Sequence, residues 1–450
     1  MCRRAGGPGP AGAAAADRLS PMSTALLTDR YELTMVEAAL ASGRHDRRCV
    51  FEVFGRRLPG ARRYGVLAGT GRLLDAIEQF RFGDAELTWL RDNAVVNGET
   101  LDYLESYRFS GSIRGYREGE VYFPGSPVLE IEGTFAEAVL LETVTLSILN
   151  YDTAVATAAS RMVSAAEGRP LAEMGARRVG ERSAVAASRA AYIAGFSATS
   201  NLEAGRSWGV PTMGTAAHSF TLLHDSEEEA FRAQIAAMGV GTTLLVDTFD
   251  IPTAIETAVR VAGPELGAVR IDSGDLPVVV RDVRKQLDSL GAVNTRITVT
   301  NDLDEHTIAA LAASPVDAYG VGTQVVTGSG APAMGMVYKL VAHLDDAGAW
   351  IPVAKKSADK VSIAGRKDAV RTLVDGVATE ETVYVETTVP EGSGRLLQVP
   401  LITDGVADER YRGQPGTALA REHRAAAVAE LPAEALRLSR GEPVLDTVFR

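Results

Sequence analysis

The chain has 450 residues, 46% of them apolar and 23% charged, with a formal net charge of −12. That acidic balance argues against a nucleic-acid binder, because gripping a phosphate backbone calls for a basic face. The two cysteines, Cys2 and Cys49, exclude a disulfide framework and a cysteine-based zinc site, and they suit the reducing cytoplasm.

Residues 1–21 are rich in Ala, Gly and Pro, carry Arg3 and Arg4, and have no sustained apolar stretch. They read as a disordered leader, or as translation upstream of Met22, and not as a secretory signal. Residues 22–150 read as an N-terminal α+β domain. Within it, Ser112 to Gly133 alternates apolar and polar residues across the turn signals REGE and FPGS, which predicts a meander. The most apolar long stretch, Ala136 to Ala159, is interrupted by Glu137, Glu142, Asn150 and Asp152, so it predicts a soluble helix and not a membrane span.

From about residue 170 the pattern becomes short apolar strand, polar Gly-rich loop, helix. The strand segments are LAEMG (171–175), GFSATS (195–200), VPTMG (210–214), TTLLVDT (242–248), AVRIDSG (268–274), RITVTND (296–302) and DAYGVGT (317–323). Asp250 before Ile251-Pro252 predicts an N-cap with proline in the first turn. Asp302 with Glu305 predicts a capping box. This grammar predicts an irregular parallel α/β barrel of about seven strands over residues 151–345, with its active face at the loops after the strands. Beyond it, WIPVAKKS, KVSIAG and TVYVETTV alternate again. Residues 346–450 therefore read as a C-terminal segment returning to the N-terminal domain.

The chemistry-bearing residues fall in the barrel loops. His218, in GTAAHSF (214–220), is a candidate nucleophile or acid/base. Gly320, Gly322 and Thr323 would close backbone N–H groups and a hydroxyl on phosphate oxygens, helped by Gly328 and Gly330; a tight turn is the competing reading. Asp272 and Asp302 end consecutive strands and would bind sugar hydroxyls or help hold Mg²⁺, with helix capping as the alternative. Arg270 lies on the same side of its strand as Asp272 by period-two geometry. It would aim a planar fork at a carboxylate, or serve a structural ion pair. Arg177-Arg178, Arg189, Arg270 and the run Lys355-Lys356, Lys360, Arg366, Lys367, Arg371 are local cations available to an anionic substrate. Lys355-Lys356 reads as a solvated or phosphate-facing charge run in preference to a Schiff-base site.

Taken together, the blocks LLTDRYELTM (26–35), FEVFGRRLP (51–59), EMGARR (173–178), SRAAYIAGFSATSN (188–201), GTAAHSF, LLVDTFD (244–250), VRIDSGDL (269–276), TNDLDE (300–305), YGVGTQVVTGSGAP (319–332) and VAKKSADKVSIAGRK (353–367) resemble the nicotinate phosphoribosyltransferase family. The resemblance runs in collinear order over nearly all of the chain beyond Met22. It implies ATP-coupled joining of nicotinate to phosphoribosyl pyrophosphate with Mg²⁺, and a homodimer with shared active sites. It implies that ATP phosphorylates His218, that Thr215 and Arg270 contact nicotinate, and that Tyr31 of a neighbouring subunit stacks on its ring. Gly322 and Thr323 would hold the ribose 5-phosphate, and Arg177 would face phosphate oxygens.

Many relatives have Phe where Met174 stands, so the resemblance implies a thioether in place of one aromatic wall. A nicotinamide-using relative would carry a carboxylate near Ser200, and serine there favours nicotinate. Three other readings remain open from the sequence: a quinolinate-type transferase, a nicotinamide phosphoribosyltransferase, and a non-catalytic barrel that binds nicotinate or its nucleotide.

Overall fold

The computed structural model describes residues 23–355 and 362–450. The leader, together with Lys356, Lys360 and the start of KVSIAG, lies outside the described residues.

Six strands form one parallel, curled sheet: β1 (Leu171–Glu173), β2 (Ala198–Thr199), β3 (Thr243–Leu245), β4 (Ala268–Ile271), β5 (Arg296–Val299) and β6 (Ala318–Val321), in the spatial order β2-β1-β6-β5-β4-β3. The seventh expected segment, VPTMG, contributes a single parallel bridge from Thr212 to Thr199 beside β2. Pro211 has no N–H to give a ladder, which fits pairing this short. Parallel strands must be covered on both faces, which is why these runs are largely apolar. Leu244, Val269, Ile271, Ile297, Val299 and Val321 are fully buried, packed with Ile255, Ala258, Val280, Leu287 and Ile308 of the crossover helices. Full burial stabilises each such side chain by roughly 1.5–3 kcal/mol. Asp250 caps the helix Ile251–Ala262 by accepting from Thr253 N, as its position predicts.

An antiparallel sheet stands beside the barrel in the order 350–352, 336–344, 48–55, 129–134, 112–116, 398–403, 406–407. Strand Gln398–Thr403 pairs with Ser112–Tyr116, so late and early segments share one sheet. The expected meander is altered. Ser112–Tyr116 pairs directly with Leu129–Thr134, while Val121–Tyr122 pairs with Gly65–Val66. The chain leaves the sheet at Gly119, whose φ is +91° and whose missing side chain admits the carbonyl of Ala420. KVSIAG forms no strand within its described residues, whereas WIP and TVYV do. The apolar stretch expected as one helix is two, Phe135–Val139 and Glu142–Ala165. Among the described residues no helix is long and apolar enough to cross a membrane.

Candidate active site

The C-terminal ends of the parallel strands open into a cavity of about 480 Å³. Met174 enters it after β1, Ser200 after β2, Asp272 after β4, Thr300, Asn301 and Asp302 after β5, and Gly322 and Thr323 after β6. The segment Gly214–Ala217 forms one side, and Arg177 and Arg178 project from the short turn Ala176–Arg178. Nine of the expected site residues therefore line one cavity: Arg270, Asp272, Thr215, Met174, Ser200, Arg177, Asp302, Gly322 and Thr323.

Glycine makes this convergence possible at two places. A methyl on Gly320 would lie 2.7 Å from both Met174 Sδ and Thr300 Cγ2, so only glycine lets those side chains meet across β6. A methyl on Gly175 would lie 2.4 Å from Val326 Cγ1 and 2.8 Å from the Gly322 carbonyl. Beneath them the fully buried Glu173 accepts from Gly175 N, from Ser188 Oγ at 2.7 Å and from Thr199 Oγ1 at 2.6 Å, which fixes the loop carrying Met174.

Arg270 is the most tightly held cation of the cavity. Its Nε donates to Thr300 Oγ1 (2.9 Å), its Nη1 donates to Thr215 Oγ1 (2.8 Å), and its Nη2 lies 3.6 Å from Asp272 Oδ2. The ion pair anticipated as a competing reading is thus present, yet the guanidinium still faces the cavity. Arg177 and Arg178 have no ion-pair partner among the described residues, so they leave uncompensated positive charge in the cavity lining.

His218 opens the short helix His218–Leu223 at the cavity's edge, with its side chain 42% exposed. Its Nδ1 is 3.1 Å from Thr248 Oγ1, and its Nε2 is 3.9 Å from Asp247 Oδ1 and 4.0 Å from Asp272 Oδ2. Asp247 is a buried carboxylate. Its Oδ2 accepts from Asp272 N (2.8 Å) and Ser273 Oγ (2.7 Å), while its Oδ1 faces the imidazole without a hydrogen-bond partner. The sequence reading assigned no role to Asp247, Thr248 or Thr300. The signal was available for two of them: Asp247 and Thr300 follow their strands level with Asp272 in the sheet register.

Several expectations are corrected. Asp302 does not cap the next helix; Asp304 does, accepting from Thr307 N, and Asp302 sits at φ +36° in the cavity wall. Glu305, expected to complete the capping box, is buried against Arg161 and Ser329 instead. Gly328 and Gly330 line no part of the cavity. They bracket a turn whose Gly328 carbonyl accepts from buried Arg62. Arg189 is no substrate cation. It is fully buried in a two-pronged pair with Glu118 (2.5 and 2.7 Å), and Glu118 also accepts from Gly69 N and Gly71 N. Burial works to raise the Glu118 carboxyl, but the Arg189 guanidinium and those two N–H groups outweigh it and hold it below the ordinary range. Lys367 and Arg371 are likewise consumed in the core, by Glu52 and by Glu120 with Glu381.

Tyr31 lies in the first turn of the helix Arg30–Ala41, 45% exposed and outside the cavity wall of its own chain. Its burial and the neighbouring Glu142 carboxylate push the phenol well above its usual range, so it stays neutral. Among the described residues no cluster of three or more His, Cys, Asp or Glu is arranged to hold a metal ion.

A curled parallel half-barrel whose strand ends gather arginines and carboxylates in a polar cavity, with a histidine at its edge, defines an enzyme for a small anionic substrate. Residues 26–150 match the family described as nicotinate phosphoribosyltransferase (NAPRTase) N-terminal domain. Nicotinate phosphoribosyltransferase pncB1 of Mycobacterium tuberculosis (strain CDC 1551 / Oshkosh) is 55% identical over 435 residues, covering 94% of each chain. The nicotinate phosphoribosyltransferase of Bacillus subtilis (strain 168) is 37% identical over 375 residues, covering 81% of this chain and 76% of its own. The crystal structure of human nicotinic acid phosphoribosyltransferase matches with a TM-score of 0.79 at 26% identity, over 94% of this chain and 97% of that one. Nicotinate-nucleotide pyrophosphorylase from Pyrococcus furiosus shares the fold alone, with a TM-score of 0.73 at 23% identity over 92% of this chain and 96% of its own. The chain belongs to the nicotinate phosphoribosyltransferase family.

Proposed function

We propose that this protein transfers the 5-phosphoribosyl group from phosphoribosyl pyrophosphate to nicotinate, giving nicotinate mononucleotide and pyrophosphate. The transfer is coupled to ATP through a phosphohistidine at His218. The observation that carries the reading is the Arg270 guanidinium, oriented by Thr215 and Thr300 within a cavity that also presents Arg177, Arg178, Gly322 and Thr323. One fixed fork suits the planar carboxylate of nicotinate, and the unpaired Arg177 and Arg178 suit phosphate.

The pyridine nitrogen attacks the ribose C1 as the bond from C1 to the pyrophosphate oxygen breaks, so charge develops on the leaving group. Protein cations on that side stabilise it, and the nucleophile mainly needs positioning. Arg270 with Thr215 orients nicotinate; Met174 packs on its ring; Ser200 adds no negative charge against the carboxylate. Gly322, Thr323 and Arg177 take the phosphoribosyl phosphates. Asp302 offers the hard oxygens that Mg²⁺ prefers, too few for a protein cage but suited to an ion shared with pyrophosphate, while Asp272 turns toward His218. Bound there, Mg²⁺ would offset charge on the leaving pyrophosphate.

Thr248 holds Nδ1 of His218, and the carboxylates of Asp247 and Asp272 face Nε2, so the ring is held in one orientation as phosphate arrives or leaves. The exposed apolar residues Leu26, Leu27 and Tyr31, and separately Leu222, Leu223 and Phe249 near His218, support a homodimer in which Tyr31 of one copy covers the nicotinate ring of the other. The cytoplasm is the compartment this reading assigns, consistent with the free thiol of Cys49.

Purified protein should convert nicotinate with phosphoribosyl pyrophosphate and Mg²⁺, faster with ATP, and leave nicotinamide and quinolinate nearly untouched. ATP-independent turnover of quinolinate, or ligand-induced thermal stabilisation without turnover, would overturn the proposal.

A further inference from the structure

Thr300 stands between the two groups that the proposed reaction needs in register. Its single hydroxyl accepts from Arg270 Nε at 2.9 Å and lies 2.5 Å from Asp272 Oδ1. A guanidinium is always a donor and an ionised carboxylate always an acceptor, so the direction of the chain has one solution: Arg270 donates to Thr300, and Thr300 donates to Asp272. Asp272 is thereby pinned through Oδ1, which leaves Oδ2 3.6 Å from Arg270 Nη2 and 4.0 Å from His218 Nε2. Its other anchor is its own backbone, whose N–H donates to Asp247 Oδ2 at 2.8 Å. The Thr300 methyl group is fixed too, against the bare face of Gly320 beside Met174. Rotating the hydroxyl away would therefore require the side chain to leave a packed slot.

We propose that Thr300 is a positioning residue that couples the nicotinate-binding arginine to the carboxylate facing the phosphorylatable histidine. This rests on the function proposed above. Thr300 touches neither ring nitrogen of His218 and acts only through Arg270 and Asp272. Its removal should disturb nicotinate binding and the His218 phosphorylation step together, and spare phosphoribosyl pyrophosphate.

The test compares Thr300→Val, which keeps the shape and loses the hydroxyl, with Thr300→Ser, which keeps the hydroxyl and loses the methyl. Steady-state kinetics are measured for each substrate, along with ³²P incorporation from [γ-³²P]ATP. Loss of a hydrogen bond to a charged group predicts a rise in nicotinate KM of roughly tenfold or more in Thr300→Val. The phosphoribosyl pyrophosphate KM should stay within about threefold of the parent value, labelling should slow, and Thr300→Ser should restore most of both losses. Thermal melting checks the fold, and Thr300→Ala replaces Thr300→Val should that variant not fold. Equal rises in both KM values, normal kinetics in Thr300→Val, or a serine variant no better than valine would each overturn this inference alone. A parent protein that makes no nicotinate mononucleotide overturns the function and this inference with it.

Discussion

Replacing Arg270 by alanine tests the substrate assignment most directly. The guanidinium is 14% exposed, and its hydrogen bonds to Thr215 and Thr300 already fix its plane. A bound carboxylate therefore meets an ordered fork and orders no new side chain. Each charge-assisted hydrogen bond contributes roughly 1.5–3 kcal/mol. Losing two, with water returning to the gap, removes about 3 kcal/mol, on the order of 100-fold in kcat/KM for nicotinate. Arg270→Lys keeps a charge but cannot fork, so about a tenth of the parent efficiency is expected. Initial rates of nicotinate mononucleotide formation, followed by chromatography while each substrate is varied, separate the two binding sites. The phosphoribosyl pyrophosphate KM should change little, and the preference for nicotinate over nicotinamide should fall. Equal effects on both substrates would move Arg270 to the phosphate side, and a lysine variant as active as the parent would refute the fork.

Three further outcomes follow from particular contacts. His218→Ala should abolish acid-labile, base-stable ³²P incorporation from [γ-³²P]ATP; full labelling of that variant would remove His218 as the acceptor. Arg189→Met leaves buried Glu118 with only backbone donors, so urea denaturation should show a loss of about 3–5 kcal/mol, and a loss under about 1 kcal/mol would contradict the pair's structural role. Burial raises the carboxyl of Glu32 from 4.5 to about 7, against the hydrogen bonds it accepts from Thr143. The folded protein therefore keeps a proton that the unfolded chain has already released above its ordinary pKa. That contribution is complete below about pH 4.5 and fades as pH rises through about 7. Stability of the parent should accordingly fall relative to Glu32→Gln by on the order of 2 kcal/mol between about pH 5 and pH 8. Parallel pH profiles would show that Glu32 is ionised in the fold.

Much of the site was legible because a parallel barrel converts position along the chain into position in space. Residues just past each strand converge at one end, so Met174, Ser200, Asp272, Asp302, Gly322 and Thr323 meet although 149 positions separate the first from the last. The two-residue repeat of a strand likewise put Arg270 and Asp272 on one side, and their 3.6 Å separation follows from it. Apolar runs in β3 to β6 announced burial on both faces.

What the chain could not announce was which partner each polar group would find. Arg189 and Arg177 are the same residue type in adjoining blocks, yet one is sealed against Glu118 and the other faces the cavity. Asp302 and Asp304 both stand before one helix, and only folding decided that Asp304 caps it. Thr300 and Asp247 gained their places from neighbours 28 to 30 and 25 to 29 residues away, at Arg270, Asp272 and His218. Hydrophobic periodicity is a local property, readable over a few turns or strands. Ion pairing and hydrogen bonding inside a core depend on which elements pack together, and that is settled only when the whole sheet and its helices close.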